Sequence, residues 1–315
     1  MLDLNKIGVI IIILLVLCAI NSRLAGGIGT AIGADRFLAL DNSLRRSHLP
    51  NLWIHFEFPP NARNWQSWGS RLSQQLNLPF IDVATQSIVD CNENDFNIRL
   101  ISDASFKQLL KGWDVDLEKV ANPHRDHLRK IAMAKLVYTH GGLVVPNSFL
   151  CGEGLREVYE RCIGSGKILA GQLPSHSSKG SWSTTALSLE FFGGRSGSRH
   201  LKQLVLSLEA GLGSDPTSSP EFEELVAGIL NEINDDGGVN AVEGEFLGVR
   251  ESNGKFITMD SLLTRDPLEF DTRCLGVYVP MKAILNSVSK GWFLAMDKEQ
   301  IVASNTNLGQ LVRRL

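Results

Sequence analysis

The sequence predicts a mixed α/β fold in which helices flank a mainly parallel sheet. Short apolar segments alternate with amphipathic segments from residue 51 to residue 315, a pattern typical of this class. The connections between these segments are short, and no internal repeat divides the range. With 315 residues, of which 43% are hydrophobic and 21% charged, the chain has an ordinary globular composition. We therefore expect residues 51–315 to form one α/β domain.

The segments can be assigned individually. Strands are expected at 52–58, 80–84, 97–101, 167–171, 186–192, 276–280 and 292–295, and helices at 104–111, 201–209 and 220–231. Trp65, Trp68 and Leu72 have the spacing of a short surface helix that covers a sheet edge. The serine-rich stretch 175–183 is expected to be a long loop, either a lid or a surface excursion.

One stretch, residues 122–149, is the centre of the predicted fold. Asn122 and Pro123 are typical of a helix start, and apolar residues then recur at helical spacing. Gly141 can adopt the left-handed conformation that ends a helix. Residues 143–145 are apolar enough for a buried strand, and Pro146 ends that strand because it has no amide hydrogen. The stretch therefore predicts a helix, a glycine turn and a strand in succession.

The first 34 residues predict an attachment to a membrane. Residues 7–20 form an uninterrupted apolar run of 14 residues, shorter than the roughly 20 that a spanning helix needs. We interpret this run as an uncleaved single-pass anchor in contact with lipid, with the glycine-rich residues 24–34 adding interfacial length. A cleaved signal peptide and an apolar helix packed on the protein itself are the alternatives. One positive charge flanks the run on each side, Lys6 before it and Arg23 after it, so the orientation of the anchor in the membrane is open. Residues 35–50 are polar and predict a linker.

Charge and cysteine content exclude two classes of function. The net charge is -3 and the basic residues are scattered, so no nucleic-acid-binding face is expected. The five cysteines show no Cys-x-x-Cys spacing, which argues against a structural zinc site; they are Cys18, Cys91, Cys151, Cys162 and Cys274. The last four can form two disulfides in a secreted domain or stay reduced, so the redox compartment is open.

The helix, glycine turn and strand of residues 122–149 resemble the donor site of GT-A fold glycosyltransferases of the mannosyltransferase and capsular-polysaccharide type. In that family the strand after Gly-Gly ends in Asp-any-Asp, which binds a divalent cation that neutralises the donor diphosphate. The matching positions here are Pro146 and Ser148. The family also has an acidic residue and an arginine in the preceding helix, and these positions fall on Lys130 and Met133. The resemblance therefore implies a Rossmann-like scaffold with a degenerate donor site, no metal ligands and no divalent cation as cofactor.

Two further segments extend this resemblance. Residues 52–58 are similar to the first strand of the family, with a central histidine, and residues 94–103 to a later strand that ends in an acidic residue. By this resemblance, sugar or nucleotide contacts are expected at His55, Asp103, Gly141, Gly142, Asn147 and Ser148. No catalytic residue is assigned. Residues 133–138 and 145–149 are also similar to uncharacterised proteins of large DNA viruses, which suggests a viral or host membrane besides the secretory pathway.

Two classes of function follow from the resemblance. The first is a membrane-anchored transferase that takes a sugar from a nucleotide donor. Without metal ligands its cations must come from basic side chains, and the candidates are Arg125, Arg129, Lys130 and Arg195. The second is a non-catalytic protein that uses the same fold to bind a glycan or to assemble at a membrane. A nucleophilic hydrolase is disfavoured, because no Gly-x-Ser-x-Gly motif is present.

Two other motifs are interpreted as structural. Asp114 and Asp116 form an Asp-any-Asp pair, but the pair precedes the central helix and does not follow a strand, so a solvated turn is expected. The glycine-rich residues 193–199 precede a helix and contain two arginines, which is a weak phosphate-binding pattern. We expect a plain connection between strand and helix there.

Overall fold

The computed structural model describes residues 48–57, 78–175, 184–213, 218–285 and 287–315. The strands in these ranges are β1 (Asn51–Phe56), β2 (Asn97–Ser102), β3 (Gly142–Val144), β4 (Phe149–Cys151), β5 (Ile168–Ser175), β6 (Thr184–Gly194), β7 (Val239–Val242) and β8 (Gly276–Tyr278). The helices are α1 (Pro79–Asn92), α2 (Ser105–Leu109), α3 (His124–His140), α4 (Arg156–Ser165), α5 (Arg199–Leu212), α6 (Ser219–Asp235), α7 (Met259–Leu263), α8 (Met281–Leu285), α9 (Gly291–Leu294), α10 (Lys298–Ala303) and α11 (Asn307–Arg314).

Six of the strands form a mostly parallel sheet in the order β2-β1-β3-β6-β5-β7. Strand β6 pairs antiparallel with β3 and β5, and the other pairs are parallel. Strands β4 and β8 form a separate antiparallel pair. The prediction of a mixed α/β fold with a mainly parallel sheet is confirmed.

The central sheet is buried on both faces, as expected for parallel strands covered by helices. Leu52 and Ile54 belong to one hydrophobic cluster, which includes residues of α1, α4 and the C-terminal helices. Trp53 belongs to a second cluster, which includes residues of α3, α5 and α6. Successive side chains of β1 therefore enter opposite cores, and this alternation fixes the register of the strand.

The glycine turn between α3 and β3 is built by close backbone packing. Both glycines have positive φ, 69° at Gly141 and 112° at Gly142. The Trp53 indole donates a hydrogen bond to the Gly141 carbonyl at 2.9 Å. A Cβ atom on Gly142 would lie 2.4 Å from the Asn51 carbonyl oxygen, so only glycine fits there. The turn thus places β3 directly beside β1.

Three local predictions were wrong. Residues 80–84, predicted as a strand, lie in α1, where the buried residues Phe80, Ala84 and Ile88 recur at helical spacing. Residues 292–295 form most of α9 and the residue after it, with Phe293 and Leu294 buried. Helix α3 starts at His124 without a side-chain cap from Asn122, and Pro123 precedes its first turn. Short apolar windows cannot separate helix from strand, which explains the first two errors.

Several predictions fall on residues outside the described ranges. These are the membrane segment at residues 7–20, the linker up to residue 47, the helix around Trp65 and most of the loop at 175–183. Within the described ranges, none of the helices combines the length and hydropathy of a membrane span.

Candidate functional site

A cavity of about 210 Å³ lies at the carboxyl-terminal ends of β1 and β3. Ligands of α/β proteins commonly bind at this edge of the sheet. Its described lining is partly apolar, with Leu78, Ile81, Met133, Val144, Val145, Leu189, Met281 and Leu285 among its residues. Its polar side chains are His55, Glu57, Asp126, Arg129, Lys130, Asn147, Ser148, Glu190 and Tyr278. Apolar walls with convergent polar groups are typical of a small-ligand site.

A histidine, an aspartate and an arginine form an ion-pair network beside the cavity. Strands β1 and β2 run parallel in register, with Phe56 opposite Ser102, so their ends bring His55 close to Asp103. The His55 Nε2 atom lies 3.0 Å from Asp103 Oδ1. Arg129 of α3 donates from Nε to Asp103 Oδ1 at 2.9 Å and from Nη2 to Oδ2 at 2.6 Å. Bidentate pairs of this kind combine strength with fixed geometry.

The network keeps both charged partners ionised. Burial raises the pKa of Asp103, but hydrogen bonds from His55 and Arg129 outweigh burial and lower it to about 2. Burial lowers the pKa of Arg129, whereas the hydrogen bond to Asp103 and the charge of Glu57 raise it above the ordinary value. Asp103 is therefore an anion throughout the physiological range.

The basic side chains that line the described part of the cavity are both paired with acids. Arg129 Nη1 also lies 2.9 Å from Glu57 Oε2 and 2.9 Å from Asp126 Oδ1. Lys130 forms an ion pair with Glu223 of α6. The side chains of Arg129 and Lys130 are only 12% and 11% exposed. The positive charges of Arg129 and Lys130 are therefore already neutralised by neighbouring carboxylates of the protein.

The strand end at Pro146, Asn147 and Ser148 lines the cavity with neutral groups. The Asn147 amide donates to the His55 carbonyl at 3.0 Å, which ties the end of β3 to β1. Ser148 is buried. In the described part of the chain, no cluster of three or more His, Cys, Asp or Glu side chains has the geometry to hold a metal ion. Hard cations such as Mg²⁺ prefer anionic oxygen ligands, and these three residues supply none.

The six residues expected to contact a sugar or nucleotide are only partly brought together. His55, Asn147 and Ser148 line the cavity. Asp103 lies just behind it and holds Arg129. Gly141 and Gly142 precede or begin β3, whereas the cavity lies at the end of that strand, and neither is among the lining residues. Their observed contacts shape the turn.

Arg129, one of the predicted cations, is paired in the structure with Asp126, which was not predicted. Asp126 and Arg129 lie one helical turn before Lys130 and Met133, the positions that the resemblance implied for an acidic residue and an arginine. Both line the cavity and bond to each other. An acidic residue and an arginine therefore occur on α3, four residues before the positions that the resemblance implied. The Asp-x-x-Arg spacing was the signal, since side chains three residues apart share a helix face.

A second missed group lies on the opposite wall of the cavity. The Tyr278 hydroxyl of β8 donates to Glu190 Oε2 of β6 at 2.6 Å. Burial and the charge of Glu190 raise the pKa of Tyr278 well above its ordinary value, so the hydroxyl keeps its proton. No sequence pattern indicated this pair, because the residues are 88 positions apart.

The remaining candidates are located away from the cavity. Arg125 donates to the Val120 carbonyl at 2.7 Å, and Arg195 is exposed after β6. Asp114 and Asp116 are both exposed, and Asp116 accepts a hydrogen bond from the Glu118 amide at 3.3 Å. The prediction of a solvated turn at Asp114 and Asp116 is confirmed.

The described residues define a mixed α/β protein with a cavity at the carboxyl-terminal ends of β1 and β3. No family model matches the chain, and no curated protein matches it. A solved structure described as "PaToxG Glycosyltransferase" is similar, with a TM-score of 0.35 and 11% identity over 67% of this chain and 79% of that chain. At this identity and TM-score, the likeness assigns neither a ligand nor a reaction to this chain.

Proposed function

We propose that this chain is a glycosyltransferase-like protein, attached to a membrane by residues 7–20, whose cavity binds carbohydrate without a divalent cation. In this proposal the protein recognises a sugar of a glycan and does not transfer one from a nucleotide donor. The resemblance of residues 122–149 to a donor site supports the sugar, and the charges of the cavity argue against the nucleotide.

The observation that carries the proposal is the pairing of Arg129 with Asp103, Asp126 and Glu57. A donor diphosphate needs a metal ion or unneutralised cations beside it. Here Arg129 forms ion pairs with three carboxylates, and Lys130 forms an ion pair with Glu223. Two unit charges 4 Å apart interact by about 4 kcal/mol at an effective dielectric constant near 20, so an added anion meets a substantial barrier from these carboxylates.

A neutral sugar avoids this barrier and matches the lining chemistry. Carboxylates accept hydrogen bonds from sugar hydroxyls, and the amide of Asn147 and the hydroxyl of Ser148 provide both donors and acceptors. The described volume of about 210 Å³ is below the roughly 300–1,000 Å³ of a site for a drug-sized ligand. A volume of this size suits one sugar residue better than a nucleotide sugar.

Calorimetric titration of the full-length chain in detergent tests the proposal. The chain is titrated with Mn²⁺, with neutral monosaccharides and oligosaccharides, and with nucleotide sugars in the presence and absence of Mn²⁺. We expect at least one neutral sugar to bind, Mn²⁺ not to bind, and nucleotide sugars to bind no more tightly than the corresponding free sugar. Glu190→Gln is expected to weaken sugar binding about tenfold, because a charged acceptor is lost.

Two controls make the result specific. Glu157→Gln changes an 84% exposed carboxylate on α4 and is expected to leave sugar binding unchanged. Micromolar Mn²⁺ binding that disappears in the Asn147→Ala, Ser148→Ala double variant would contradict the proposal and favour a metal-dependent transferase.

Metal-independent sugar transfer is a second candidate, and one observation favours it. Asp126 and Arg129 line the cavity as a hydrogen-bonded pair. They lie one helical turn before Lys130 and Met133, the positions that the resemblance implied for such a pair. Release of a nucleoside diphosphate from a nucleotide sugar in the presence of a chelator, lost in Arg129→Gln, would establish this activity. The carbohydrate-binding proposal predicts no such release.

A further inference from the structure

Two cysteines meet where the last turn of α1 packs against β4. The Cys91 thiol lies 3.6 Å from the Cys151 carbonyl oxygen, and the Asn92 amide donates to Cys151 Sγ at 3.5 Å. The Cys151 thiol donates to the Glu153 carbonyl at 3.2 Å. Both cysteines are free, with Cys91 partly exposed and Cys151 buried.

The contact between these cysteines is held by hydrogen bonds on both sides. The Cys151 amide donates to Ser87 Oγ at 2.9 Å, and Ser87 lies one helical turn before Cys91. The Leu155 amide donates to Asn92 Oδ1 at 2.9 Å. Helix α1 and strand β4 are therefore held against each other, with the Cys91 thiol in contact with Cys151.

We propose that Cys91 and Cys151 form a reversible disulfide by exchange with a small disulfide oxidant such as oxidised glutathione. The Cys91 thiolate attacks one glutathione sulfur, the glutathione S–S bond breaks, and a glutathione thiolate leaves. The Cys151 thiol loses its proton and attacks Cys91 Sγ, and the second glutathione leaves. Two protein thiols are thereby oxidised, one oxidised glutathione is reduced to two glutathione molecules, and the two thiol protons pass to them.

The two thiols have different reactivities that suit these roles. The neighbouring Cys151 side chain lowers the pKa of Cys91, and Cys91 is the more exposed of the two. The neighbouring Cys91 side chain and burial raise the pKa of Cys151. Exchange proceeds through an accessible thiolate, so Cys91 attacks first and Cys151 resolves the mixed disulfide.

The other two described cysteines have different partners. Cys162 donates to the Lys167 carbonyl at 2.9 Å, and Cys274 donates to the Gly276 carbonyl at 3.2 Å. A bond between Cys91 and Cys151 would join residues 60 positions apart and fix α1, whose Ile81 lines the cavity. Because a cross-link over a loop of this length restricts the unfolded chain, the oxidised form is expected to have a higher Tm.

Peptide mapping tests the disulfide. The full-length chain is equilibrated in glutathione buffers of increasing oxidised fraction, alkylated and digested without reduction. In the wild type we expect a peptide pair joined through Cys91 and Cys151, reversal by dithiothreitol, and a Tm several degrees higher when oxidised. Cys151→Ala is expected to trap glutathione on Cys91, and Cys91→Ser to leave Cys151 unmodified. The matched control Cys274→Ser, which changes another partly exposed thiol, should form the same cross-link as the wild type.

The wild-type map decides the proposal even if a variant does not fold. Alkylation of both Cys91 and Cys151 in the most oxidising buffer would overturn it. A cross-link from Cys91 to any cysteine other than Cys151 would also overturn it. Because this measurement needs no sugar, it is independent of the carbohydrate-binding proposal.

Discussion

Asp103 is the residue on which the charge network of the cavity depends. It accepts from His55 and Arg129, and its side chain is 16% exposed. Its pKa of about 2 is below the roughly 3.9 of an aspartate in an unfolded chain. The ionised form thus favours the folded state, and this contribution is present above pH 4 and is lost as the pH falls toward 2.

We expect Asp103→Asn to lower the free energy of unfolding by about 2 kcal/mol at pH 7. The difference from the wild type should shrink at pH 3, where part of the wild-type contribution is already lost. Urea unfolding followed by circular dichroism at the two pH values measures both. Asp116→Asn is the matched control, because its ion pair with Lys119 is exposed, and no measurable change is expected. An equal decrease in the free energy of unfolding in the two variants would show that the ion-pair network beside the cavity does not stabilise the fold.

His127 is a second residue with a predictable effect on stability. It is 1% exposed, it stacks on Phe222 with ring centroids 4.1 Å apart, and neither ring nitrogen has a hydrogen-bond partner among the described residues. Burial and the nearby His124 lower its pKa. Protonation therefore favours the unfolded state, and stability from this residue is present above about pH 6.5 and declines below it.

We expect His127→Phe to preserve the ring contact and raise the free energy of unfolding by about 1 kcal/mol at pH 7, because unsatisfied polar atoms are removed. Between pH 7 and pH 5 the variant should lose less stability than the wild type. Urea unfolding at these two pH values measures the difference. An unchanged pH dependence would indicate that His127 is not buried in its neutral form.

At the scale of elements, the turn from α3 to β3 requires glycine at position 142. A Cβ on Gly142 would meet the Asn51 carbonyl oxygen at 2.4 Å and the Trp53 indole nitrogen at 2.8 Å. Gly166 also has a positive φ, 66°, but nothing lies within 4 Å of its Cβ position. Substitution of Gly166 by alanine therefore tests the cost of the positive φ alone. Substitution of Gly142 adds the cost of steric overlap to it.

We expect Gly142→Ala to lower the free energy of unfolding by about 3 kcal/mol or more. Backbone strain and overlap of the new Cβ with fixed backbone atoms both contribute. Gly166→Ala should cost about 1 kcal/mol, because only the strain applies. Thermal unfolding of the two variants beside the wild type gives the comparison. Similar Tm values for both variants would contradict the close packing of β1 against β3.

The elements that sequence patterns identified share one property, a strong local signal. Strands β1 and β2 were predicted from short apolar runs, and helix α5 from apolar residues at helical spacing. Residues 80–84 were assigned to a strand because four apolar or small residues around Asp82 fit either element, and the helical repeat is visible only over the full length of α1. Strands β4 and β7, of three and four residues, were not predicted.

At the scale of the molecule, the sequence analysis named cavity residues mainly where a segment resembled a known donor site. His55, Asn147 and Ser148 reach the cavity because the ends of β1 and β3 lie side by side. The pairing of Lys130 with Glu223 and of Tyr278 with Glu190 joins residues 93 and 88 positions apart. Such contacts depend on the packing of whole elements, and the periodicity of a single segment contains no information about them.

The whole molecule is predicted to be attached to a membrane through residues 7–20. An apolar run of 14 residues reaches the roughly 20 needed for a span when flanking residues extend it, as Lys6 and Arg23 can do by placing their charges at the interface. We expect the full-length chain to sediment with membranes and to resist extraction by high salt and by alkaline carbonate. A chain lacking residues 1–34 should be recovered in the supernatant.

Mass spectrometry of the N-terminus separates an anchor from a cleaved signal peptide. An intact N-terminus in the membrane fraction is the expected result for an anchor. A shortened mature chain in the soluble fraction would favour the signal peptide.

A replacement of Ile13 and Leu14 by Lys should release the full-length chain from the membrane, because each charge near the middle of a span costs about 2.5–3.5 kcal/mol. The same replacement at Leu49 and Val115, which are exposed, is the matched control and should leave the protein in the membrane fraction. Recovery of the unmodified full-length chain in the supernatant without detergent would refute the anchor.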